Sequence, residues 1–172
     1  REVFFYFHAM NHSDAAWTVL AERPVYENPW ISLTEYDVLN PAGKPGLYGK
    51  VHFKNKAIGI IALDEEGNIY LVGQTRFALS AYSWEIPAGG GPLDVEPLES
   101  ARRELQEETG LMARHWKVVL EMHLSNSVTD EHGFIFLATG LTAGEAEPED
   151  TEDIRVQKLP LREACDMVID GR

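Results

Sequence analysis

The chain has 172 residues, of which 44% are hydrophobic, and this length allows one globular domain with a substantial core. Its 28 acidic and 15 basic side chains give a net charge of −13 at pH 7, which disfavours a nucleic acid partner because phosphates would be repelled. No apolar run reaches the roughly 18 residues of a membrane-spanning helix, so the sequence also argues against a membrane partner.

The first third of the chain predicts an N-terminal antiparallel β hairpin unit over residues 10–56. Residues 1–9 are set apart, because this aromatic stretch lacks the pattern of a signal peptide and is expected to be disordered or a non-native extension. Loose alternation over 30–38 predicts a strand, the Pro- and Gly-rich segment 40–46 a turn, and 48–54 the returning strand of the hairpin.

Residues 57–172 predict a second domain in which strands outnumber helices. Its strands are expected at 57–63, 69–74, 84–87, 116–124, 134–139 and 154–159. One helix is predicted around Pro97, with Asp94 as its N-cap and Gly110 as the residue that ends it. Few, separated helices among many strands indicate an α+β fold or an α/β/α sandwich.

A closing helix is predicted over 161–169, and it carries the only cysteine, Cys165, which we expect to be buried. A chain without a partner for an internal disulfide is typical of a reducing compartment, so the sequence predicts a cytoplasmic protein.

Acidic residues concentrate on one face of the helix that ends at Gly110. Glu104, Glu107 and Glu108 stand at i, i+3 and i+4, so their carboxylates project from neighbouring points of one surface. Like charges so placed repel each other by a few tenths of a kcal/mol per pair, and a cation would relieve this repulsion. Hard oxygen ligands in such a cluster suit Mg²⁺ or Mn²⁺, which commonly bind substrate phosphates as well.

The stretch around these carboxylates resembles the box of the Nudix family, G-x5-E-x7-R-E-U-x-E-E-x-G-U, in which U is aliphatic. Eight of its nine fixed positions match: Gly89, Arg103, Glu104, Leu105, Glu107, Glu108, Gly110 and Leu111. The departure is Val95, where the pattern has a glutamate, and Glu96 follows one residue late. In the family that glutamate mainly supports the loop and helix, so the half of the box that supplies metal ligands is complete.

The resemblance implies a Nudix-type α/β/α sandwich with a mixed sheet, and it implies a divalent metal site. Glu104, Glu107 and Glu108 would bind Mg²⁺, with Mn²⁺ able to substitute, and the backbone carbonyl of Ala88 would add a ligand. Arg103 would orient the carboxylates, since a guanidinium offers them a fixed fork of donors. Arg103 and Glu107 are therefore counted with the catalytic residues. The alternative is a solvated acidic helix face.

A general base is expected in the loop 125–133, which follows the box. In the branch of the family that cleaves ADP-ribose and sugar nucleotides, a glutamate in such a loop often takes the proton from the attacking water. Glu131 is the best match to that glutamate, and Asp130 is the second. The alternative is a polar hairpin turn without a catalytic role.

The N-terminal hairpin is similar to that of ADP-sugar pyrophosphatases, which implies a homodimer joined through this hairpin. Trp30 and Tyr48 would then stack on the base, although both could equally be packing residues of the hairpin. Arg76 is predicted to contact phosphate, with a structural ion pair as the alternative, and Glu85 to make a polar contact with sugar or base.

The sequence thus predicts a Mg²⁺-dependent hydrolase that splits the pyrophosphate of a nucleoside diphosphate sugar, such as ADP-ribose or GDP-mannose, into a nucleoside monophosphate and a sugar phosphate. A second hypothesis is a catalytically weak domain that binds nucleotide sugars as a regulator, which only Val95 favours. A third, a hydrolase of capped or triphosphorylated RNA, conflicts with the acidic balance of the chain.

Overall fold

The computed structural model describes residues 16–144 and 154–171, so the predicted extension over 1–9 lies outside the described residues. The chain divides into two compact units between His52 and Phe53. Neither helix in the described part of the chain is long and apolar enough to cross a membrane.

The N-terminal unit is a three-stranded sheet of order β1-β2-β3, built from β1 (Thr18–Glu27), β2 (Ile31–Leu39) and β3 (Pro45–Phe53). The predicted hairpin is present as β2 and β3, and the sequence analysis missed β1, which pairs antiparallel with β2. Asparagine side chains make both turns, because the Oδ1 atom of Asn28 accepts two backbone N–H groups and that of Asn40 accepts two more.

The second unit contains a seven-stranded sheet and two helices. Its strands are β4 (Asn55–Leu63), β5 (Asn68–Arg76), β6 (Ala81–Glu85), β7 (Ala88–Pro92), β8 (Leu111–His123), β9 (His132–Ala143) and β10 (Arg155–Pro160), and its helices are α1 (Pro97–Thr109) and α2 (Leu161–Asp170). The order is β10-β5-β4-β9-β8, with β6 beside β5 and β7 beside β4. β4 runs parallel to β9 and antiparallel to β5 and β7, so the sheet is mixed, as predicted.

Alternation along β4 places the two helices on opposite faces of this sheet. Ile58 and Ile60 are buried in a core that includes Ala101 and Leu105 of α1. The next residue, Ile61, packs instead against the core that contains Ala164 of α2. Successive side chains of a strand point to opposite faces, so the strand separates two cores. The predicted α/β/α sandwich is confirmed.

The N-cap of helix α1 is Glu96, two residues after the predicted cap, Asp94. Asp94 is not the N-cap: Glu96 occupies that position, with an extended backbone (φ −60°, ψ 132°) and no side-chain capping bond. Pro97 explains the difference, because a proline at the first helical position keeps the preceding residue extended. The other end is as predicted, since Gly110 has φ 68° and donates its N–H to the carbonyl of Gln106 at 2.8 Å.

The prediction that Cys165 is buried was wrong, because its side chain is exposed on α2. Its neighbour Ala164 is the residue that α2 buries against the sheet.

Candidate active site

Helix α1 lies against the glycine strand β7, and the absence of side chains at Gly89 and Gly91 makes this close approach possible. A Cβ atom at Gly89 would overlap the carboxylate of Glu104, and one at Gly91 would lie 2.8 Å from the Oγ atom of Ser100. Gly89 and Gly91 lie two residues apart on one face of the strand, and Glu104 and Ser100 lie about one turn apart on the helix. The two spacings match, so each glycine faces one of these helix residues. The glycines therefore set the depth at which the acidic face of α1 sits.

The three carboxylates of α1 are enclosed to different degrees. Glu108 is 2% exposed and Glu104 is 8% exposed, whereas the side chain of Glu107 is 30% exposed. The Oε2 atom of Glu108 accepts the backbone N–H of Ala88 at 2.9 Å, which joins the helix to the start of β7. Buried carboxylates are costly to keep without hydrogen bonds or positive charge, and this N–H group supplies part of that compensation for Glu108.

Arg103 supplies positive charge at this site. Its Nη1 atom donates to Glu107 at 2.7 Å, and its Nη2 atom donates to Glu104 at 2.5 Å and to the carbonyl of Gly90 at 2.9 Å. Burial lowers the pKa of Arg103, but the charges of Glu104 and Glu107 outweigh it, so the net shift of this pKa is upward. The guanidinium bridges two of the carboxylates and ties them to β7.

The donor set around Arg103 fits a hard divalent cation, although the carboxylates do not converge on one point. Among the described residues, no three acidic, histidine or cysteine side chains stand close enough together to hold a metal ion. Every available donor is an oxygen, and the space in front of Gly89 is filled by the Glu104 carboxylate. An all-oxygen donor set is the kind that Mg²⁺ and Mn²⁺ prefer.

Glu131 lies at the end of the loop that joins β8 to β9. The N–H of Leu124 donates to the carbonyl of Glu131 at 3.1 Å, and the Oγ1 atom of Thr129 donates to the carbonyl of Leu124 at 2.5 Å, so the loop closes on itself. Partial burial raises the pKa of Glu131 above its ordinary value. Asp130 has a structural contact instead, because its Oδ1 atom accepts the N–H of Phe53 at 3.1 Å.

Arg76 and Glu85 lie on the neighbouring strands β5 and β6 and bind each other. The Nη2 and Nε atoms of Arg76 donate to the Glu85 carboxylate at distances from 2.6 to 3.2 Å. The Arg76 guanidinium lowers the pKa of Glu85, which outweighs the opposing effect of burial. The structural ion pair that the sequence analysis gave as the alternative role of Arg76 is thus present. A contact of Arg76 with substrate stays a prediction.

The two aromatic residues predicted to stack on a base have different surroundings in the N-terminal unit. Trp30 is 65% exposed in the turn between β1 and β2. Tyr48 is half-buried and meets Trp17 edge-on, with 5.4 Å between the ring centroids. A concavity of about 280 Å³ lies here, lined by Trp17, Val19, Tyr36, Val38, Tyr48 and Lys50. The sequence analysis did not consider Trp17, which lines this concavity together with Tyr48.

Two family models match this chain. Residues 53–170 match the NUDIX domain model, and residues 17–51 match the model of the nucleoside diphosphate sugar hydrolase N-terminal domain. The chain belongs to the Nudix hydrolase family. The predicted family, its sugar-nucleotide branch and the predicted class of enzyme are thereby confirmed, and the two matched segments meet at the division between the two compact units.

Similar proteins in this family include two bacterial ADP-ribose pyrophosphatases. The Mycobacterium tuberculosis protein is 37% identical over 118 residues, which is 67% of this chain and 57% of that protein. The Bacillus subtilis protein is 32% identical over 151 residues, or 87% of this chain and 81% of that one. A crystal structure of an ADP compounds hydrolase superposes with a TM-score of 0.79 at 19% identity, covering 88% of this chain and 82% of that chain, and shows the same fold.

Proposed function

We propose that this Nudix hydrolase cleaves the pyrophosphate bond of a nucleoside diphosphate sugar, giving a nucleoside monophosphate and a sugar phosphate. ADP-ribose is the first substrate to test and GDP-mannose the second. The observation that carries the proposal is the seating of α1 on the glycine strand, which brings the Glu104 carboxylate against Gly89 and the Glu108 carboxylate onto the N–H of Ala88. The match of residues 17–51 supports a sugar nucleotide as the substrate class.

Glu104, Glu107, Glu108 and the carbonyl of Ala88 would hold Mg²⁺, for which Mn²⁺ could substitute. Bound there, the cation would polarise a water and offset charge on the phosphates. Arg103 would keep the carboxylates oriented through whichever contact remains when the cation is bound. Arg103 and Glu107 are thus part of the catalytic set in this proposal.

Glu131 would accept the proton of the attacking water. Its raised pKa supports this role, because a base acts best when its pKa is close to the working pH. Asp130 suits the role less well, since its carboxylate already accepts the N–H of Phe53.

In the second compact unit, the residues proposed to bind substrate are Arg76 and Glu85. Arg76 would contact a phosphate and Glu85 the sugar or base, each exchanging part of their mutual ion pair for the substrate. Trp30 and Tyr48 would contribute aromatic surface for the base, where stacking is worth about 1–3 kcal/mol per base in comparable sites.

A homodimer through the N-terminal unit is part of this proposal. All ten residues of β1 are exposed in the single chain, and Val19, Leu20, Val25 and Tyr26 present apolar surface there. A strand with no buried face gains stability when a second copy covers it.

The cellular location is a separate part of the proposal. The single cysteine suits a reducing compartment, so we propose that the enzyme works in the cytoplasm.

A second candidate is a domain that binds nucleotide sugars without turnover. Val95 supports it, because the family pattern has a glutamate at this position and the chain has an aliphatic side chain instead. Binding of ADP-ribose in Mg²⁺ without cleavage would establish this candidate.

The deciding experiment incubates the protein with ADP-ribose, GDP-mannose, UDP-glucose or a dinucleoside polyphosphate in Mg²⁺, each with and without EDTA. A coupled phosphatase converts the monoester products to free phosphate. Cleavage of one or two sugar nucleotides that EDTA abolishes is expected. Failure to cleave any of them, in protein that binds Mn²⁺, would overturn the proposed activity.

A further inference from the structure

A lysine on β4 contacts the turn that leads into the metal-binding helix. Lys56 pairs with Gly91 in the ladder between β4 and β7. Its Nζ atom donates to the carbonyl of Val95 at 2.7 Å and lies 3.5 Å from the carbonyl of Pro92. The same turn is closed by the N–H of Val95, which donates to Pro92 at 3.1 Å. One ammonium group therefore contacts the carbonyls at both ends of the turn.

This contact lies just before the first turn of α1, where no side chain caps the helix. The helix has no side-chain capping bond at Glu96, and the side chain of residue 95 is aliphatic and cannot supply one. A positive charge close to a helix N-terminus is unfavourable for the helix dipole, so a lysine here must be held by its specific partners. Hydrogen bonds from an ammonium group to carbonyls are stronger than neutral ones, which suits such a brace.

The turn determines where the acidic face of α1 lies along β7. Ser100 fits against Gly91 and Glu104 against Gly89, so a shift of the first helical turn would move both contacts. Lys56 pairs with Gly91 and donates a hydrogen bond to Val95 in the turn that follows. This side chain therefore links β4, β7 and the start of α1.

We propose that Lys56 is a positioning residue that holds the turn 92–95 and thereby places the α1 carboxylates for a divalent cation. This inference rests on the proposed function, because it assigns a purpose to the geometry of that metal site. Lys56 touches neither substrate nor metal in this proposal.

The test measures Mn²⁺ affinity by electron paramagnetic resonance of free Mn²⁺, alongside kcat and KM for ADP-ribose. Lys56→Met, which keeps most of the length and removes the donors, is expected to weaken Mn²⁺ binding by about tenfold or more, in the range seen for residues that support metal ligands. Its kcat should fall while KM changes little. Lys56→Arg, which retains the positive donors, should restore most of both losses.

Lys117→Met is the matched control, since it removes the same charge from an exposed position on β8. Hydrogen exchange of the metal-free protein adds a second readout: Lys56→Met should speed exchange in the first turn of α1 and leave α2 unchanged. If Lys56→Met does not fold, Lys56→Gln, a shorter neutral donor, takes its place in the same comparison.

Unchanged Mn²⁺ affinity in Lys56→Met, or an equal loss in Lys117→Met, would overturn the role of Lys56 while leaving the proposed function intact. A wild-type protein that neither binds Mn²⁺ nor cleaves a sugar nucleotide would overturn the proposed function, and the inference with it.

Discussion

At the scale of single residues, Glu108 is the most enclosed of the three box carboxylates and the one that joins α1 to the backbone of β7. Glu107, by contrast, is half-buried and reaches Arg103 from the outer side of the helix. The two positions differ in burial although they are consecutive, because neighbouring residues on a helix point about 100° apart. Substitutions at Glu108 should therefore test the site most directly.

Glu108→Gln keeps the side-chain volume and an oxygen that can accept the Ala88 N–H, but it removes the charge that a divalent cation requires. Turnover of ADP-ribose is expected to fall by at least about a hundredfold, with little change in the thermal midpoint. Glu99→Gln, an exposed position on the same helix, is the control. A rate close to wild type in Glu108→Gln would refute its assignment as a ligand.

Glu131→Gln should lower kcat more than it raises KM, because a base acts in the chemical step. In the wild type, a base with a raised pKa gains activity as pH rises through that value, and this dependence should vanish in the variant. Profiles of kcat against pH measure it. Asp130→Asn should retain the dependence; if it loses the dependence instead, Asp130 is the base.

The raised pKa of Glu131 also predicts a change in stability with a definite sign. A folded-state pKa above the ordinary 4.5 means that Glu131 favours folding fully below that value, and that the contribution is lost as pH rises through the folded-state pKa. Glu131→Gln should therefore unfold at higher denaturant than the wild type near neutral pH, and this advantage should shrink on acidification. Urea titrations at several pH values test the trend.

At the scale of elements, the contact of α1 with β7 depends on the glycines at the centre of that strand. Gly89→Ala would place a methyl group on the Glu104 carboxylate, so either the helix or the carboxylate must move. The expected destabilisation is about 1–3 kcal/mol, as for other overpacked sites. Mn²⁺ affinity should fall in parallel.

Gly46→Ala on β3 is the control for this substitution, because a Cβ atom there meets only Val38, at an ordinary 3.8 Å. Urea unfolding and Mn²⁺ titration of the two variants separate a general effect of alanine from the specific overlap. Equal Mn²⁺ affinities in both would argue against a role of Gly89 in seating α1.

Sequence patterns predicted those elements whose signals are local. β4 was readable as a continuous apolar segment because both of its faces are covered, and α1 was readable because its apolar residues lie on one side. β1 was missed because all ten of its residues are exposed in the single chain, which removes the period-two signal. Asp94 was misjudged because its type favours a cap, whereas Pro97 fixes where the helix begins.

The candidate site could be predicted only in part for a related reason. The box residues lie on one helix and one adjoining strand, so their spacing determines their proximity. The contacts of Lys56 with Val95 and of Asp130 with Phe53 join distant segments, and no local pattern encodes them. The pairing of Arg76 with Glu85 depends in the same way on how β5 and β6 pack.

At the scale of the whole molecule, the exposed β1 predicts the assembly. Leu20→Glu combined with Val25→Glu would put charge on two apolar positions of this strand, both more than half exposed in the single chain. We expect the protein to change from dimer to monomer in light scattering coupled to size exclusion. Val168→Glu, at an exposed position on α2, should leave the dimer intact. A wild-type monomer would contradict the proposed assembly.

The parallel pairing of β4 with β9 has a consequence for how quickly the enzyme becomes active after synthesis. Ala57 lies beside Gly133, so the pair cannot form until the intervening glycine strand, helix α1 and β8 have been made and brought back to the sheet. Closing such a long loop has a high entropic cost before any contact repays it, which slows folding. The core under α1, which includes Phe136 of β9, therefore closes late, and newly made chains should pass through a slow phase before this core is complete.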